Sequence, residues 1–209
     1  MGKQDTFYFE GLDDILIGMM ATPDTVGEAP TYSEIVRLPI ATKLGIKGNG
    51  TALEKWASSK MFRRVSRETK HELALDHVGI PIAVMDELKG LIAESGVTFG
   101  KNTAREFPYF AFGFIGNIEN GGKKAVWYPK TQLSNVIDEE YATADDETKI
   151  DDVTANFISS GLKYNNVMYS SFDSNRDGAS LELFNRIRQK SPILYRWVMN
   201  AVRYEGYRW

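Results

Sequence analysis

A chain of 209 residues with 43% hydrophobic and 25% charged residues has the composition of an ordinary globular protein, and it is long enough to bury a sizeable core. A net charge of −3 gives the average surface no general attraction for nucleic acid, and the lack of cysteine excludes disulfides, a thiolate nucleophile and a zinc–thiolate site. The best apolar run near the N-terminus, residues 15–21, is far too short to span a bilayer, so no membrane partner is expected.

The first part of the chain is predicted to form strands. Residues 7–22 are mostly apolar and are predicted as the first strand, and residues 33–38 alternate polar and apolar side chains as a half-buried strand does. Residues 42–72 are predicted as an extended arm that turns back on itself and carries the aromatic tip ALEKWASSK. The GNG sequence at residues 48–50 is interpreted as a turn.

A single internal helix is predicted after the arm, over residues 76–94. Apolar side chains recur at helical spacing between Ile82 and Ile92, which indicates one buried face. Pro81 suits a first helical turn, and Gly96 is expected to end the helix.

An aromatic hairpin is predicted next. Residues 107–118 (FPYFAFGFIGNI) and residues 124–128 flank a glycine turn, and their dense Phe and Tyr content favours a strand buried on both faces. Strand character resumes at residues 154–159 and 166–172. The predicted fold is therefore mainly β (α+β), a sandwich-like or barrel-like domain with one flanking helix.

Two segments lie outside this pattern. Residues 138–152 carry eight acidic side chains and one lysine, which predicts a solvated loop. From residue 179 the pattern changes to helix and then to a basic, aromatic tail. The expected organisation is a β-domain over residues 1–184 and a partly helical C-terminal extension over residues 185–209.

Little in the sequence indicates catalysis. The histidines His71 and His77 are six residues apart, which is no metal-ligand spacing, and satisfied surface or boundary histidines are the preferred interpretation. The carboxylate pairs lie mostly in the acidic loop, where solvation is expected to leave their pKa values ordinary. No nucleophile–base pair can be assembled from the sequence. We expect no enzyme, no cofactor and no resident metal.

One segment matches the opening of a calcium-binding loop. Residues 173–178 read D-x-N-x-D-G, but the position that should supply a bidentate glutamate is Phe184. An Asx-rich turn that caps a following helix is the preferred interpretation of Asp173 to Asp177, with calcium binding as the alternative.

A basic stripe occupies residues 60–70 (KMFRRVSRETK). It could contact phosphate, but the outward face of a strand pair, or contact with an acidic neighbouring subunit, is preferred.

Five segments, taken in order, resemble the major tail (tail tube) proteins of long-tailed, non-contractile phages that infect Gram-positive bacteria. The matching segments are YFEGLDDILIGMM, the arm with ALEKWASSK at its tip, LALDHVGIPIAVMDELKGLI, KNTAREFPYFAFGFIGNIENGGKKAVWYPKTQL and FDSNRDGASLELF. Together they cover most of residues 7–184, and the resemblance depends on their order and spacing.

The resemblance implies a structural virion protein without catalytic activity. Such subunits form hexameric rings that stack into a hollow tube through which DNA passes. Their partners are other copies of themselves, a tape-measure protein, a tail terminator and a distal tail protein. Assembly would occur in the cytoplasm of the bacterial host, and the protein would be located in the virion tail. A net acidic chain could then present an acidic lumen along which DNA slides.

Two regions are predicted to contact neighbouring subunits. Trp56 on the arm is expected to be exposed in one chain and buried by a neighbouring subunit. The alternative is that Trp56 folds back on its own domain. The basic tail, residues 192–209, is expected to dock on an adjacent subunit, with the acidic loop at residues 138–152 as a suitable surface. The predicted contact residues are Leu53, Glu54, Lys55, Trp56, Trp197, Tyr204 and Trp209.

Two other functions fit the same sequence. One is another self-assembling tube, such as a pyocin or injection-system inner tube. The other is a non-catalytic β-domain that binds a ligand or calcium through Asp173 to Asp177.

Overall fold

Over the residues that the structure describes, the fold is a single antiparallel β-sheet of nine strands with one flanking helix. The computed structural model describes residues 8–57, 60–100, 106–134 and 152–176, together with residue 179. The mainly β prediction is confirmed. The elements are β1 Phe9–Thr22, β2 Thr31–Tyr32, β3 Val36–Leu38, β4 Ala41–Ala57, β5 Lys60–His77, α1 Ile82–Lys89, β6 Phe110–Ile118, β7 Gly122–Leu133, β8 Val153–Ser160 and β9 Ser170–Asp173.

The strand order places the two ends of the sheet at β2 and β4. The order is β2-β1-β6-β7-β8-β5-β4, with β3 also paired to β1 and β9 to β7. Although β1 and β4 are not paired, they approach each other across the interior, so the sheet is strongly curved. This curvature produces the barrel-like shape without a ladder between the two ends.

Both faces of the central strands are buried. Ile15 and Ile17 of β1 pack into the larger cluster inside the curved sheet, whereas Leu16 between them packs into a second cluster on the opposite face. Strand β6 is buried along almost its whole length for the same reason. The prediction of a strand covered on both faces is confirmed. The larger cluster consists of Ile15, Ile17, Leu38, Leu73, Leu75, Leu88, Phe110, Phe112, Phe114, Val126, Tyr128, Ala155 and Phe157.

A glycine lets an indole lie against the middle of this sheet. Gly113 of β6 is paired with Trp127 of β7, and a Cβ at Gly113 would lie 2.2 Å from the Trp127 ring. Any larger residue would force the indole out of its position on the sheet. The hairpin between β6 and β7 turns at residues 119–121, where Asn120 and Gly121 have positive φ, so the glycine turn is confirmed there.

The GNG sequence at residues 48–50 is not a turn. Residues 48–50 lie inside β4, which runs without a break from Ala41 to Ala57 opposite β5. Gly48 pairs with His71, and the register shifts between Asn49 and Gly50, so the glycines accompany a β-bulge. The prediction of a turn is wrong because the two glycines bend a continuous strand.

The helix is shorter than predicted. Strand β5 continues to His77, and α1 covers only Ile82–Lys89 with Pro81 as its N-cap. Gly90, with φ of 62°, ends the helix in the left-handed conformation, six residues before Gly96. The face turned to the core contains Leu88 and Val84, whereas Ile82 is exposed.

Three further predictions have different outcomes. Of residues 166–172, the last three, with Asp173, form β9, and residues 166–169 have no regular secondary structure. The acidic loop lies outside the described residues up to residue 151. The helical C-terminal extension, residues 185–209, also lies outside them.

A buried ion pair ties a loop to the sheet. Lys130 Nζ of β7 lies 2.6 Å from Asp24 Oδ1, and both side chains are almost fully buried. The other Asp24 oxygen accepts a hydrogen bond from the backbone N–H of Lys163, and the ammonium lies 4.8 Å from the Tyr109 ring centroid. Burial opposes ionisation of Asp24, but the hydrogen bonds from Lys130 and Lys163 outweigh it and lower the pKa of the carboxyl.

Candidate assembly surface

The candidate surface is the far half of the β4–β5 hairpin, which extends beyond the sheet. Strand β5 pairs with β8 only from Lys70 to His77, so beyond Lys70 it pairs with β4 alone. We call residues 49–70 the arm. β4 is also the last strand of the sheet and has no further strand on its other side among the described residues. Among the described residues, the arm is therefore a two-stranded ribbon with both faces and both long edges accessible.

Large apolar side chains on this ribbon are exposed. Leu53 is 73% exposed, Trp56 60% and Phe62 74%. Met61 and Val65 are exposed as well. Trp56 therefore does not fold back on its own domain. A ribbon with this much exposed apolar surface is typical of a protein that covers it with a partner.

The pairing register divides the arm into two faces. Residues directly opposite each other lie on the same face, and successive residues alternate between faces. Leu53 is opposite Val65, so these two form an apolar pair on one face. The register shifts between Lys55 and Trp56, where Phe62 is an extra residue of β5 and interrupts the alternation along that strand. Trp56 follows Lys55 on β4 and lies, with Met61 opposite it, on the other face.

The two faces differ in charge. On the face of the tryptophan, Glu54 is opposite Arg64, and the two side chains form an ion pair of 3.4 Å. On the face of Leu53 and Val65, Lys55 is opposite Arg63, and Thr51 is opposite Arg67. We call this second side the basic face. In the described part of the chain these three cations form no ion pair.

The arm as a whole is basic within an acidic chain. Its six cations and two carboxylates give a net charge of +4, whereas the whole chain carries −3. The rest of the chain therefore carries −7. The charged residues of the arm are Lys55, Lys60, Arg63, Arg64, Arg67, Lys70, Glu54 and Glu68.

A buried histidine fixes the base of the arm. His71 is the first buried residue of β5; its Nδ1 lies 3.2 Å from the Tyr128 hydroxyl and its Nε2 lies 3.3 Å from Glu68 Oε2. Because an ionised carboxylate only accepts, we infer that Nε2 carries a proton and that Nδ1 accepts from Tyr128. Burial, with Tyr169 and Glu68 nearby, raises the pKa of Tyr128 to about 12, so this hydroxyl keeps its proton.

The second histidine is buried without a partner. His77 is fully enclosed at the end of β5, and neither ring nitrogen has a hydrogen-bond partner among the described residues. Burial lowers the pKa of His77, although Asp152 and Asp76 partly oppose this effect. The prediction of satisfied histidines is confirmed for His71, whose two ring nitrogens both have partners, and is wrong for His77, which has none in the described residues. Neither ring lies at the surface.

The proposed calcium loop begins as an Asx turn. The backbone N–H of Asn175 donates to Asp173 Oδ1 at 3.0 Å, and Arg176 Nη1 donates to the carbonyl oxygen of Ser171 at 2.8 Å. The Asx turn is thus confirmed at Asp173, while Asp177 lies outside the described residues. Within the described ranges, no three His, Asp or Glu side chains are grouped to hold a metal ion. None of the helices in those ranges has the length and apolarity needed to cross a membrane.

The predicted contact residues fall into two groups. Leu53, Glu54, Lys55 and Trp56 lie together on the arm, divided between its two faces. The other three, Trp197, Tyr204 and Trp209, lie outside the described residues. The sequence reasoning missed Val65 as the apolar neighbour of Leu53, because only the cross-strand register brings them together.

The chain matches no protein-family model and no curated protein. Its function has to follow from its own surfaces and contacts.

Proposed function

We propose that this chain is a structural virion protein that self-assembles into stacked hexameric rings and forms a phage tail tube through which DNA is ejected. The observation that carries the proposal is the arm, a ribbon that exposes Leu53, Trp56 and Phe62 and that adds no side chain to the core formed by the described residues. A partner that covers these side chains would gain their apolar burial.

The open ends of the sheet support the same function. Strands β2 and β4 end the strand order, so both can pair with strands of neighbouring copies. An isolated chain with a long accessible edge risks uncontrolled aggregation, whereas a closed ring of copies covers every edge. The proposed role is non-catalytic and needs no cofactor.

The resemblance of the sequence to tail tube proteins extends this proposal to the partners. Tube growth would be bounded by a tail terminator and a distal tail protein and would follow a tape-measure protein. The subunits would assemble in the bacterial cytoplasm and end in the virion tail, where DNA passes without specific binding.

Electron microscopy of negatively stained protein, with light scattering for its mass, tests the proposal. We expect rings or hollow tubes of uniform diameter that become more abundant as the protein is concentrated. Trp56→Asp together with Leu53→Asp should leave a folded monomer, because both side chains are exposed.

The matched control is Val26→Asp, at an exposed loop residue outside the arm. This variant should assemble like the wild type. Normal rings from the double arm variant would contradict an assembly role for the arm. A monomeric wild-type protein at every concentration, including in the presence of the tape-measure protein, would contradict the tail-tube function.

A further inference from the structure

The basic face of the arm brings like charges together, which lowers the stability of the strand pair. Lys55 and Arg63 are directly opposite each other, and Arg67 lies on the same face, two residues from Val65 along β5. Like charges in directly opposed positions destabilise a strand pair. None of the three has a carboxylate partner in the described residues, whereas Arg64 on the other face pairs with Glu54. This face is therefore suited to an acidic partner.

A second exposed apolar surface surrounds α1. Ile82 is 80% exposed, Ile92 88% and Phe99 72%, and Val78 and Val97 are exposed beside them in the sequence. We call residues 78–99 the α1 segment. It is more accessible than a core helix because its buried contacts are concentrated at Leu88.

The α1 segment has the opposite charge to the arm. It carries Asp86, Glu87 and Glu94 against Lys89, a net charge of −2. Its acidic side chains lie between exposed apolar ones in the sequence, with Asp86 and Glu87 between Ile82 and Ile92, and Glu94 between Ile92 and Val97. Complementary charge around apolar contacts is the arrangement that gives protein interfaces their specificity.

We propose that the basic face of the arm binds the α1 segment of a second copy of this chain. The inference rests on the proposed function, since it names the partner surface of the same arm. Leu53 and Val65 contact the exposed apolar side chains of the segment, and Lys55, Arg63 and Arg67 face its carboxylates. Both surfaces are exposed within one chain, so their contact is between copies.

This contact is head to tail, because two different surfaces meet. A heterologous interface of this kind closes into a ring or continues as a filament, depending on the rotation between copies. Each subunit has one arm and one α1 segment, so each copy can contact two neighbours through this interface.

Two charge-reversal variants of the full chain test the pairing. Arg63→Glu with Arg67→Glu disables the arm, and Glu87→Lys with Glu94→Lys disables the α1 segment. Each variant alone should self-associate at least about tenfold more weakly than the wild type. Mixed at equal concentration, the two should co-assemble, because the intact arm meets the intact segment and the reversed arm is complementary in charge to the reversed segment.

The matched control is Glu28→Lys with Glu34→Lys, which reverses two exposed carboxylates outside both surfaces. Light scattering measures the masses, and circular dichroism checks that each variant is folded. If the arm variant is impaired while the α1 variant assembles like the wild type, the arm binds another surface and this inference is overturned, but the proposed function stands. If the wild type does not self-associate, both fail.

Cross-linking gives an independent test, since the chain has no cysteine. Leu53→Cys in one copy and Ile82→Cys in another should form a disulfide-linked dimer under mild oxidation. Leu53→Cys with Val26→Cys should not. Equal yields from the two mixtures would overturn the inference.

Discussion

Strand β5 contains two regions with the same secondary structure and opposite environments. From His71 to His77 it is paired on both sides, and alternate residues are buried in the core. From Lys60 to Thr69 it pairs with β4 alone, and every residue is exposed. Backbone pairing with β4 is the same in both halves. The difference in side-chain burial therefore comes from the pairing with β8 on the second side and from the core beneath the sheet.

The comparison separates folding from assembly. In the body of the sheet, apolar side chains contribute to the stability of one chain. In the arm, equally apolar side chains such as Leu53 and Phe62 contribute almost nothing to it, because they remain in water in the folded monomer. Substitutions in the two regions should therefore affect different measurements, and the free energy of unfolding should be measured under conditions in which the protein is monomeric.

The largest contrast is expected between the two ion pairs. Lys130→Ala leaves the buried carboxylate of Asp24 without its cation and should lower the free energy of unfolding by about 3–5 kcal/mol. Arg64→Ala removes the partner of Glu54 on the arm and should change the same quantity by no more than about 1 kcal/mol, because that pair is solvated. Urea unfolding followed by tryptophan fluorescence measures both.

Similar losses in the free energy of unfolding for Lys130→Ala and Arg64→Ala would contradict the separation of folding from assembly. Lys130→Met serves as a further control, since it keeps most of the side-chain volume and removes only the charge. A loss from Lys130→Met close to that from Lys130→Ala would attribute the effect to the uncompensated carboxylate rather than to a cavity.

A second contrast compares two leucines. Leu75 of β5 is 0% exposed in the main cluster, and Leu75→Ala should cost about 2–5 kcal/mol through lost burial and the cavity that remains. Leu53→Ala on the arm should change stability by less than about 0.5 kcal/mol. Thermal and urea unfolding of the monomers give both values.

The assembly measurement should reverse this order. Leu53→Ala should weaken self-association, while any Leu75→Ala protein that remains folded should assemble normally. A large loss of monomer stability from Leu53→Ala would mean that the arm packs on its own domain.

Much of the body was predictable from local patterns. The aromatic run of β6 indicates a strand buried on both faces, because no polar face interrupts it, and the mostly apolar residues of β1 indicate a strand. The arm with an aromatic tip was predicted, but the sequence left open whether Trp56 is exposed or folds back on its own domain.

The register of the strands and the burial of individual side chains were not predictable. The sequence Gly48 to Gly50 suits a turn locally, and only its pairing with β5 keeps it extended. Ile82 and Ile92 have helical spacing, but α1 turns Leu88 toward the core and ends at Gly90, so both isoleucines remain exposed. The contact between Asp24 and Lys130 joins residues far apart in the chain, and no local pattern indicates it.

The smallest predicted effect is the pH dependence of the body, which arises from His77. Burial lowers the pKa of His77 in the folded protein, with Asp152 and Asp76 opposing the shift, while in the unfolded chain the pKa is about 6.5. Below that pH the unfolded state binds more protons than the folded state, so stability should fall as the pH drops from 7 toward 5, by at most about 1.4 kcal/mol per pH unit. Asp24 does not contribute in this window, because its lowered pKa places its loss of stabilisation below its ordinary value of 3.8. Urea unfolding at a series of pH values should therefore give a slope that His77→Leu reduces and that arm substitutions such as Leu53→Ala leave unchanged. An equal slope in the His77→Leu protein would assign the acid sensitivity to other groups and would leave the buried imidazole without a role in it.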